Sequence, residues 1–285
     1  MPDKYSALWL SHSSIRDFQN CPRAYFLNNI YRNPETNRKI QIVSPPLSLG
    51  SAVHQVVEHL SDIPVEHRFD SSLVDLFDQA WKEYSGERGG FTSAEIEARY
   101  KERGRAMLRE VMQNPGPLQN KAIKVQEELP QYWFSEEEEM ILCGKIDWLE
   151  YVPDTDSVHI IDFKTGKPQE EGSLQLPIYV LLVNHVQKRP VSKVSYWYLE
   201  GDAGLQEQKL PDVAEAEATI MTVAKQIKLA RKLERFKCPK GELGCRYCRS
   251  LEKVAAGKAV YVGQGEYGKD CYILSADTDT EATLH

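Results

Sequence analysis

The sequence predicts an α/β fold: one domain with a mixed central sheet, an N-terminal helical cap and a C-terminal helical segment that carries cysteines. Three observations predict it. Residues 141–166 read as two β-branched and aromatic runs around the polar turn Pro153-Asp154-Thr155-Asp156, the pattern of a hairpin. A helix-period run over 173–187 separates that hairpin from a Tyr- and Trp-rich strand at 193–200. Upstream, residues 50–60, 71–84 and 93–113 place apolar residues at helical spacing.

Length and composition bound the function. The 285 residues suffice for one large domain, and 41% hydrophobic content suffices for its core. We divide the chain into a single domain over 1–275, with a helical cap at 50–120, a sheet and helix at 121–210 and a basic, cysteine-bearing segment at 211–250, followed by a disordered tail at 276–285. The net charge of −7 excludes a basic nucleic-acid coat, so any DNA contact must use a local patch. The start Met-Pro-Asp-Lys-Tyr-Ser has no signal-peptide pattern. No apolar run approaches the ~20 residues of a membrane span. Six cysteines without a secretion signal point to a reducing cytoplasm and to metal binding rather than a disulfide framework. No G-x-x-x-x-G-K-[ST] motif occurs, so the chain carries no ATP-driven motor of that type.

Taken in order, residues 11–31 read as helix, capped by Ser11 or Ser13 and restarted at Pro22, with Ala24, Tyr25, Leu27 and Ile30 inward. Asn33-Pro34 and Pro45-Pro46 bound a loop. Helix 50–60 follows with Val53, Val56, Val57 and Leu60 apolar, and His54 beside that face. His59 and His67 read as surface residues. Leu73, Phe77 and Trp81 anchor the next helix, and Ile96, Tyr100 and Val111 the one after it, which Asn114-Pro115-Gly116-Pro117 ends. Ile123 and Val125 alternate with polar neighbours as in a strand, and Gln131 to Phe134 forms another. Glu127 and Glu128 read as surface residues, and Glu136–Glu139 as a solvated turn of like charge. Past the hairpin, Leu174, Ile178, Leu181 and Leu182 mark a core helix on which Gln175 and Tyr179, four apart, share a face. Strands 193–200 and 205–210 pair around Asp202-Ala203-Gly204, and helix 212–236 follows. Lys225, Lys228, Lys232 and Arg235 recur there at helical spacing, which suits either a solvated face or a phosphate-contacting stripe. Tyr261, Val262, Tyr272 and Ile273 suit a small terminal hairpin.

The hairpin holds an anomaly. Asp is depleted in strands, yet Asp147 and Asp162 sit inside both arms. Counting back from a turn that sets Pro153 opposite Asp156 pairs Val152 with Ser157, Leu149 with Ile160 and Asp147 with Asp162. Directly opposed residues share a face with Cβ atoms about 4.5–5.5 Å apart. The strand period of two puts Lys164 on that face as well. Opposed like charges destabilise a sheet, and a divalent cation between them reverses the sign. A solvated edge hairpin would need no cation, but Trp148, Ile160, Ile161 and Phe163 argue for burial.

Gly144-Lys145-Ile146-Asp147 followed by Ile160-Ile161-Asp162-Phe163-Lys164-Thr165-Gly166 resembles the core of the PD-(D/E)XK nucleases, RecB branch. Gly50-Ser51-Ala52-Val53-His54 resembles the branch's upstream G-x-x-x-H element, and Gln175-Leu176-Pro177-Ile178-Tyr179 its downstream Q-x-x-x-Y helix. Asp-x-Lys alone is a weak pattern; four elements in order from residue 50 to 179 are a strong one. The resemblance implies a restriction-endonuclease-like sheet. It implies Mg²⁺ or Mn²⁺ held by Asp147 and Asp162 with His54 as a further ligand, Lys164 positioning the attacking water, and Gln175 and Tyr179 orienting Lys164 and the phosphate. Asn20-Cys21-Pro22-Arg23-Ala24-Tyr25 resembles the N-terminal cysteine element of cluster-bearing members. Cys245-x₂-Cys248, with six residues between Cys238 and Cys245, is a metal-ligand arrangement. Relatives of this kind hold a [4Fe–4S] cluster on one N-terminal and three C-terminal cysteines, which here implies Cys21, Cys238, Cys245 and Cys248. This chain departs from their pattern, since Val254 stands where the last cysteine is found. Zn²⁺ is the rival ion, and a metal-free remnant the bland alternative. Cys143 and Cys271 read as bystanders.

The expected activity is metal-dependent hydrolysis of DNA phosphodiesters, at single-stranded or free ends, beside a helicase or CRISPR-adaptation proteins. A non-catalytic DNA-end binding subunit is the alternative, against which the intact Asp162 and Lys164 weigh. A cluster-based redox protein is a third reading, for which no residue specifies a substrate cavity.

Overall fold

The computed structural model describes residues 3–125, 127, 129–166, 172–201 and 204–274. The expected tail at 276–285, Glu128, and the Asp202-Ala203 part of the second hairpin turn lie outside the described residues. The chain opens with β1 (Leu8–Leu10), α1 (His12–Asn20) and α2 (Pro22–Tyr25), continued as one π turn over Phe26–Ile30. Next come β2 (Ile40–Ile42), α3 (Pro45–His59), α4 (Leu73–Ala80) and α5 (Ala94–Gln113). The central part is β3 (Gln131–Ser135), β4 (Met140–Cys143), β5 (Trp148–Val152), β6 (Ser157–Lys164), α6 (Gln175–Val186), β7 (Val191–Tyr198) and β8 (Gly204–Gln208). The C-terminal part is α7 (Val213–Lys232), α8 (Arg249–Ala255), β9 (Ala259–Gln264) and β10 (Asp270–Leu274).

Three small sheets result, in the orders β1-β4-β3, β5-β6-β7-β8 and β2-β10-β9. The second is mixed: β6 pairs antiparallel with β5, parallel with β7 across the α6 crossover, and β7 antiparallel with β8. The register matches the one counted from the turn, with Val152 opposite Ser157 and Leu149 opposite Ile160. Period two then sorts the side chains. Val158 and Ile160 point to the face covered by α6, α7 and β4, in a core with Ile178, Leu182 and Ile220. Ile161 and Phe163 point to the other face, where Val53, Phe77 and Leu108 of α3, α4 and α5, with Trp81 just past α4, form the helical cap. A third apolar cluster joins Cys21, Leu27, Ile40, Leu251 and Val254 around the cysteines.

Several boundaries differ from the sequence reading, each for a local reason. The first hairpin arm is broken: β4 ends at Cys143, β5 starts at Trp148, and they belong to different sheets. Gly144 lies under α6, where an added Cβ would meet Leu182 Cδ1 at 3.0 Å. Pro45 opens α3 instead of breaking it, because its fixed φ and missing N–H suit the first helical position. Ile123 and Val125 do not form a strand; only an Ala122–Glu150 bridge is made, with Ile123 N–H donating to Leu149 O at 2.7 Å. Short β1 and β2 were not legible, being three residues each. Ser11 rather than Ser13 caps α1, in a reciprocal box with Ser14. α7 stops at Lys232, so Arg235 lies beyond the helix.

Candidate functional site

The site forms where α3, the start of β5, the end of β6 and the start of α6 meet. Gly50 lets α3 approach the end of β6, since a Cβ there would stand 3.3 Å from Thr165 Oγ1. One turn later His54 reaches Asp147, with Nδ1 3.5 Å from Asp147 Oδ2. Asp147 lies just before the β5 ladder, and its Oδ2 accepts from Phe163 N–H at 2.9 Å. That bond ties the carboxylate to β6, one residue along from Asp162. Asp162 is 1% exposed. It shares its face of β6 with Val158 and Ile160, which is the face beneath α6.

Gln175 organises the other half. Its Nε2 donates to Asp162 Oδ1 at 2.6 Å and to Tyr179 OH at 3.1 Å, while its Oε1 accepts from Lys164 Nζ at 2.7 Å. Lys164 Nζ also stands 2.6 Å from Asp162 Oδ2. That contact is a close charge pair without hydrogen-bond alignment, so Oδ2 has no hydrogen-bond donor among the described residues. Thus Asp147, Asp162, Lys164, Gln175, Tyr179 and His54 are all brought together.

One neighbour escaped the sequence reading. Glu58 Oε1 lies 3.0 Å from His54 Nδ1, and its Oε2 lies 2.6 Å from Lys145 Nζ. His54, Glu58 and Asp147 each bring one ligand atom to within 4.8 Å of the others. The signal was present: Glu58 follows His54 by four residues on an expected helix, hence on one face. Glu127 is exposed, as the sequence predicts, and is among the residues along the open cleft. His12, at the start of α1, was also passed over. Its Nε2 is 3.4 Å from Ser173 Oγ. Burial, then the charges of Arg16 and Lys164, push its imidazole down to about 4.

The electrostatics describe a place short of positive charge. Burial, then the nearby Asp147 charge, push Asp162 up to about 7 against the pull of Lys164 and His54. Burial works to lower His54, yet the charges and hydrogen bonds of Asp147 and Glu58 outweigh it and raise the imidazole to about 10. A divalent cation fits this donor set. It would replace the imidazolium proton among His54, Glu58 and Asp147 and relieve the repulsion between their carboxylates and that of Asp162, whose Oδ2 is paired with Lys164.

The site floors an open cleft of about 1980 Å³, lined among others by Arg16, Arg88, Lys124 and Lys145. That exceeds the several hundred to ~1,000 Å³ of small-molecule pockets and suits a polymer. None of Lys225, Lys228, Lys232 and Arg235 lines this cleft. Lys228 Nζ donates to Glu138 O at 2.7 Å and pairs with its Oε2 at 2.9 Å, and Lys225 Nζ is 3.7 Å from Glu138 Oε1. The acidic turn is thus a partner of half the basic stripe. Lys232 and Arg235 are exposed.

At the far end of the chain, Cys21, Cys238, Cys245 and Cys248 bring their Sγ atoms to within 4.8 Å of one another. Cys143 and Cys271 stand outside that group, buried and unbridged. Burial tends to raise the Cys245 thiol, but N–H groups of Tyr247 and Cys248 and the neighbouring Cys21 and Cys238 bring it down to about 7, while burial dominates at Cys21 and Cys248 and raises both. A thiol poised in this way among three others is a potential metal ligand.

The family model described as the PD-(D/E)XK nuclease superfamily matches residues 9–252. No curated protein matches the chain. Among solved structures, one from Eubacterium rectale named "Putative exonuclease" is similar, at 14% identity and a TM-score of 0.47, over 85% of this chain and 87% of that one.

Proposed function

The chain belongs to the PD-(D/E)XK nuclease superfamily, and from that premise we propose that it is a RecB-type, metal-dependent deoxyribonuclease acting on single-stranded or frayed DNA ends. The observation that carries this reading is the convergence of Asp147, Asp162 and Lys164 with His54 and Glu58 on the floor of an open cleft. The test is purified protein on end-labelled DNA with Mg²⁺ or Mn²⁺, with EDTA as the control that stops it.

In this reading His54, Glu58 and Asp147, whose ligand atoms lie within 4.8 Å of one another, would hold the divalent cation together with Asp162. When bound, the cation supplies Lewis-acid stabilisation of the charge that develops on the phosphoryl oxygens. Lys164 positions the attacking water. Gln175 holds Lys164 Nζ through its carbonyl oxygen and Asp162 through its amide, so one side chain sets the spacing of both. Tyr179 fixes the rotation of that amide from below. Phe163 N–H holds Asp147 in place before any ligand arrives. The four-cysteine centre is structural, linking the N-terminal segment to the segment after α7. A helicase or CRISPR-adaptation partner fits the absence of a Walker-type ATP motif in this chain.

The part given to Glu58 has its own test. Glu58→Gln is expected to lower cleavage at limiting Mg²⁺ and to recover as Mg²⁺ is raised, because a lost ligand weakens metal affinity first. A loss that excess Mg²⁺ leaves unchanged would assign Glu58 to holding His54 and Lys145 alone.

We further propose that the exposed Lys232 and Arg235 contact phosphates of single-stranded DNA. Exchanging both Lys232 and Arg235 for Ala is expected to flatten the log–log salt dependence of single-strand binding by about 1.4, at about 0.7 per lost phosphate contact. Lys225→Ala and Lys228→Ala change the slope less, since Glu138 already neutralises them. An unchanged slope in the Lys232 and Arg235 double variant returns the stripe to a solvated face.

A further inference from the structure

We infer that Cys21, Cys238, Cys245 and Cys248 hold one tetrahedral zinc ion rather than an iron–sulfur cubane. All four Sγ atoms lie within 4.8 Å of one another, and those of Cys245 and Cys248 are 3.8 Å apart. Zinc–sulfur bonds of about 2.3 Å in a tetrahedron set neighbouring thiolates about 3.8 Å apart. A cubane needs a wider frame. Its irons already occupy separate corners, and each thiolate stands a further bond outside its own iron. The four sulfurs, none farther than 4.8 Å from another, span no more than one ion's coordination shell.

The loops that present the sulfurs are built for that shell. In Cys238-Pro239-Lys240-Gly241, Lys240 N–H points at Cys238 Sγ at 3.4 Å, and Gly241 N–H closes the turn on Cys238 O at 3.1 Å with φ +83°. In Cys245-Arg246-Tyr247-Cys248, Cys245 N–H points at Cys248 Sγ at 3.2 Å. Gly244, at φ +75°, enters that loop where a Cβ would stand 3.1 Å from Cys248 Sγ. Backbone donors to thiolate sulfur orient the ligands and spread their charge. Cys21 arrives from the junction of α1 and α2. Arg23, two residues on, straps that junction to the cysteine loops by donating to Glu242 O at 3.1 Å and Glu252 Oε1 at 2.8 Å. Val254, standing where the resembling nucleases have their last cysteine, is buried in the apolar wall around the sulfurs. Cys238 on its tight turn completes the set in its place.

The inference rests on the four sulfurs alone, so it stands or falls apart from the nuclease reading. Metal and acid-labile sulfide are measured in protein purified without air. The expected result is one zinc per chain, no sulfide and a colourless solution. Cys245→Ser and Cys21→Ser are each expected to reduce the zinc content to near zero. Because either variant could fail to fold, unaltered protein stripped by a thiol-compatible chelator is titrated with Co²⁺. Saturation near one equivalent with tetrahedral d–d and thiolate charge-transfer bands supports the site. Iron with acid-labile sulfide, or a stripped chain that takes up no Co²⁺, overturns it. DNA cleavage assayed on the same preparations reports separately on the nuclease reading.

Discussion

Asp162→Ala is expected to cut end-labelled single-stranded DNA at least about 10²-fold more slowly than the unaltered chain, and Lys164→Ala to fall by a similar factor, the scale of losing one preorganised transition-state stabiliser. The reason lies in how few groups share the work. Asp162 Oδ1 is held by Gln175, and Oδ2 faces Lys164 with no hydrogen-bond donor of its own. In the proposed site, removing Asp162 would delete a cation ligand and free Lys164. Removing Lys164 leaves Asp162 in place but opens one side of the Gln175 link. Asp162→Asn keeps the shape and serves as the control for misfolding. Equal cleavage by the unaltered and Asp162→Ala proteins would show that the cut is not made at this site, and DNA binding without cleavage by the unaltered protein would favour a DNA-end binding subunit.

The second large effect is on stability. Asp162 has its folded pKa raised, from 3.8 to about 7. A group raised in the folded state contributes its stability fully below the unfolded value and loses it as pH rises through the folded value. The metal-free protein should therefore lose stability from this group between about pH 4 and pH 7. His54, raised from 6.5 to about 10, adds a loss of the same sign at higher pH. Asp162→Asn should then stabilise the metal-free chain at pH 8 on the order of 2–4 kcal/mol relative to its effect at pH 4, at 1.36 kcal/mol per pKa unit. Mg²⁺ or Mn²⁺ should raise the melting temperature of the unaltered protein more at pH 8 than at pH 5, because protons and cation compete for the same groups. An identical pH dependence of melting temperature in the metal-free unaltered and Asp162→Asn proteins from pH 4 to pH 8, or an equal metal effect at both pH values, would show that the acidic cluster is relieved in some other way.

Much of the site was legible because its spacing is local. The count from one turn with a period of two holds from Val152 to Trp148 and stops there: Asp147 lies one residue before the ladder and reaches β6 through its side chain, whose Oδ2 accepts from Phe163 N–H. Gln175 and Tyr179 follow from helical period, and the bond between them has the expected length. Glu58 is legible by the same rule, four residues after His54 on α3, but helical spacing alone does not say that this face meets Asp147. The α7 stripe shows the limit of periodicity. Charges at helical spacing share a face whatever that face meets, and the Glu138 turn that meets half of it lies some ninety residues upstream.

By itself, then, the sequence determined the α/β class, the hairpin register, the helical cap pattern and the residues able to do chemistry, because each depends on neighbours along one element or across one tight turn. Tertiary structure alone decided three things. It split the first hairpin arm into two sheets at Gly144–Asp147, where α6 packs over the break. It brought Glu58 and His54 of α3 onto Asp147, which needed Gly50 to let the helix close on β6. It drew Cys21 across more than two hundred residues to Cys238, Cys245 and Cys248 and set their separation. Spacing along a chain records which sulfurs are available. Only the packing of two termini around one apolar cluster sets the distance between them, and that distance is what distinguishes one ion from a cluster.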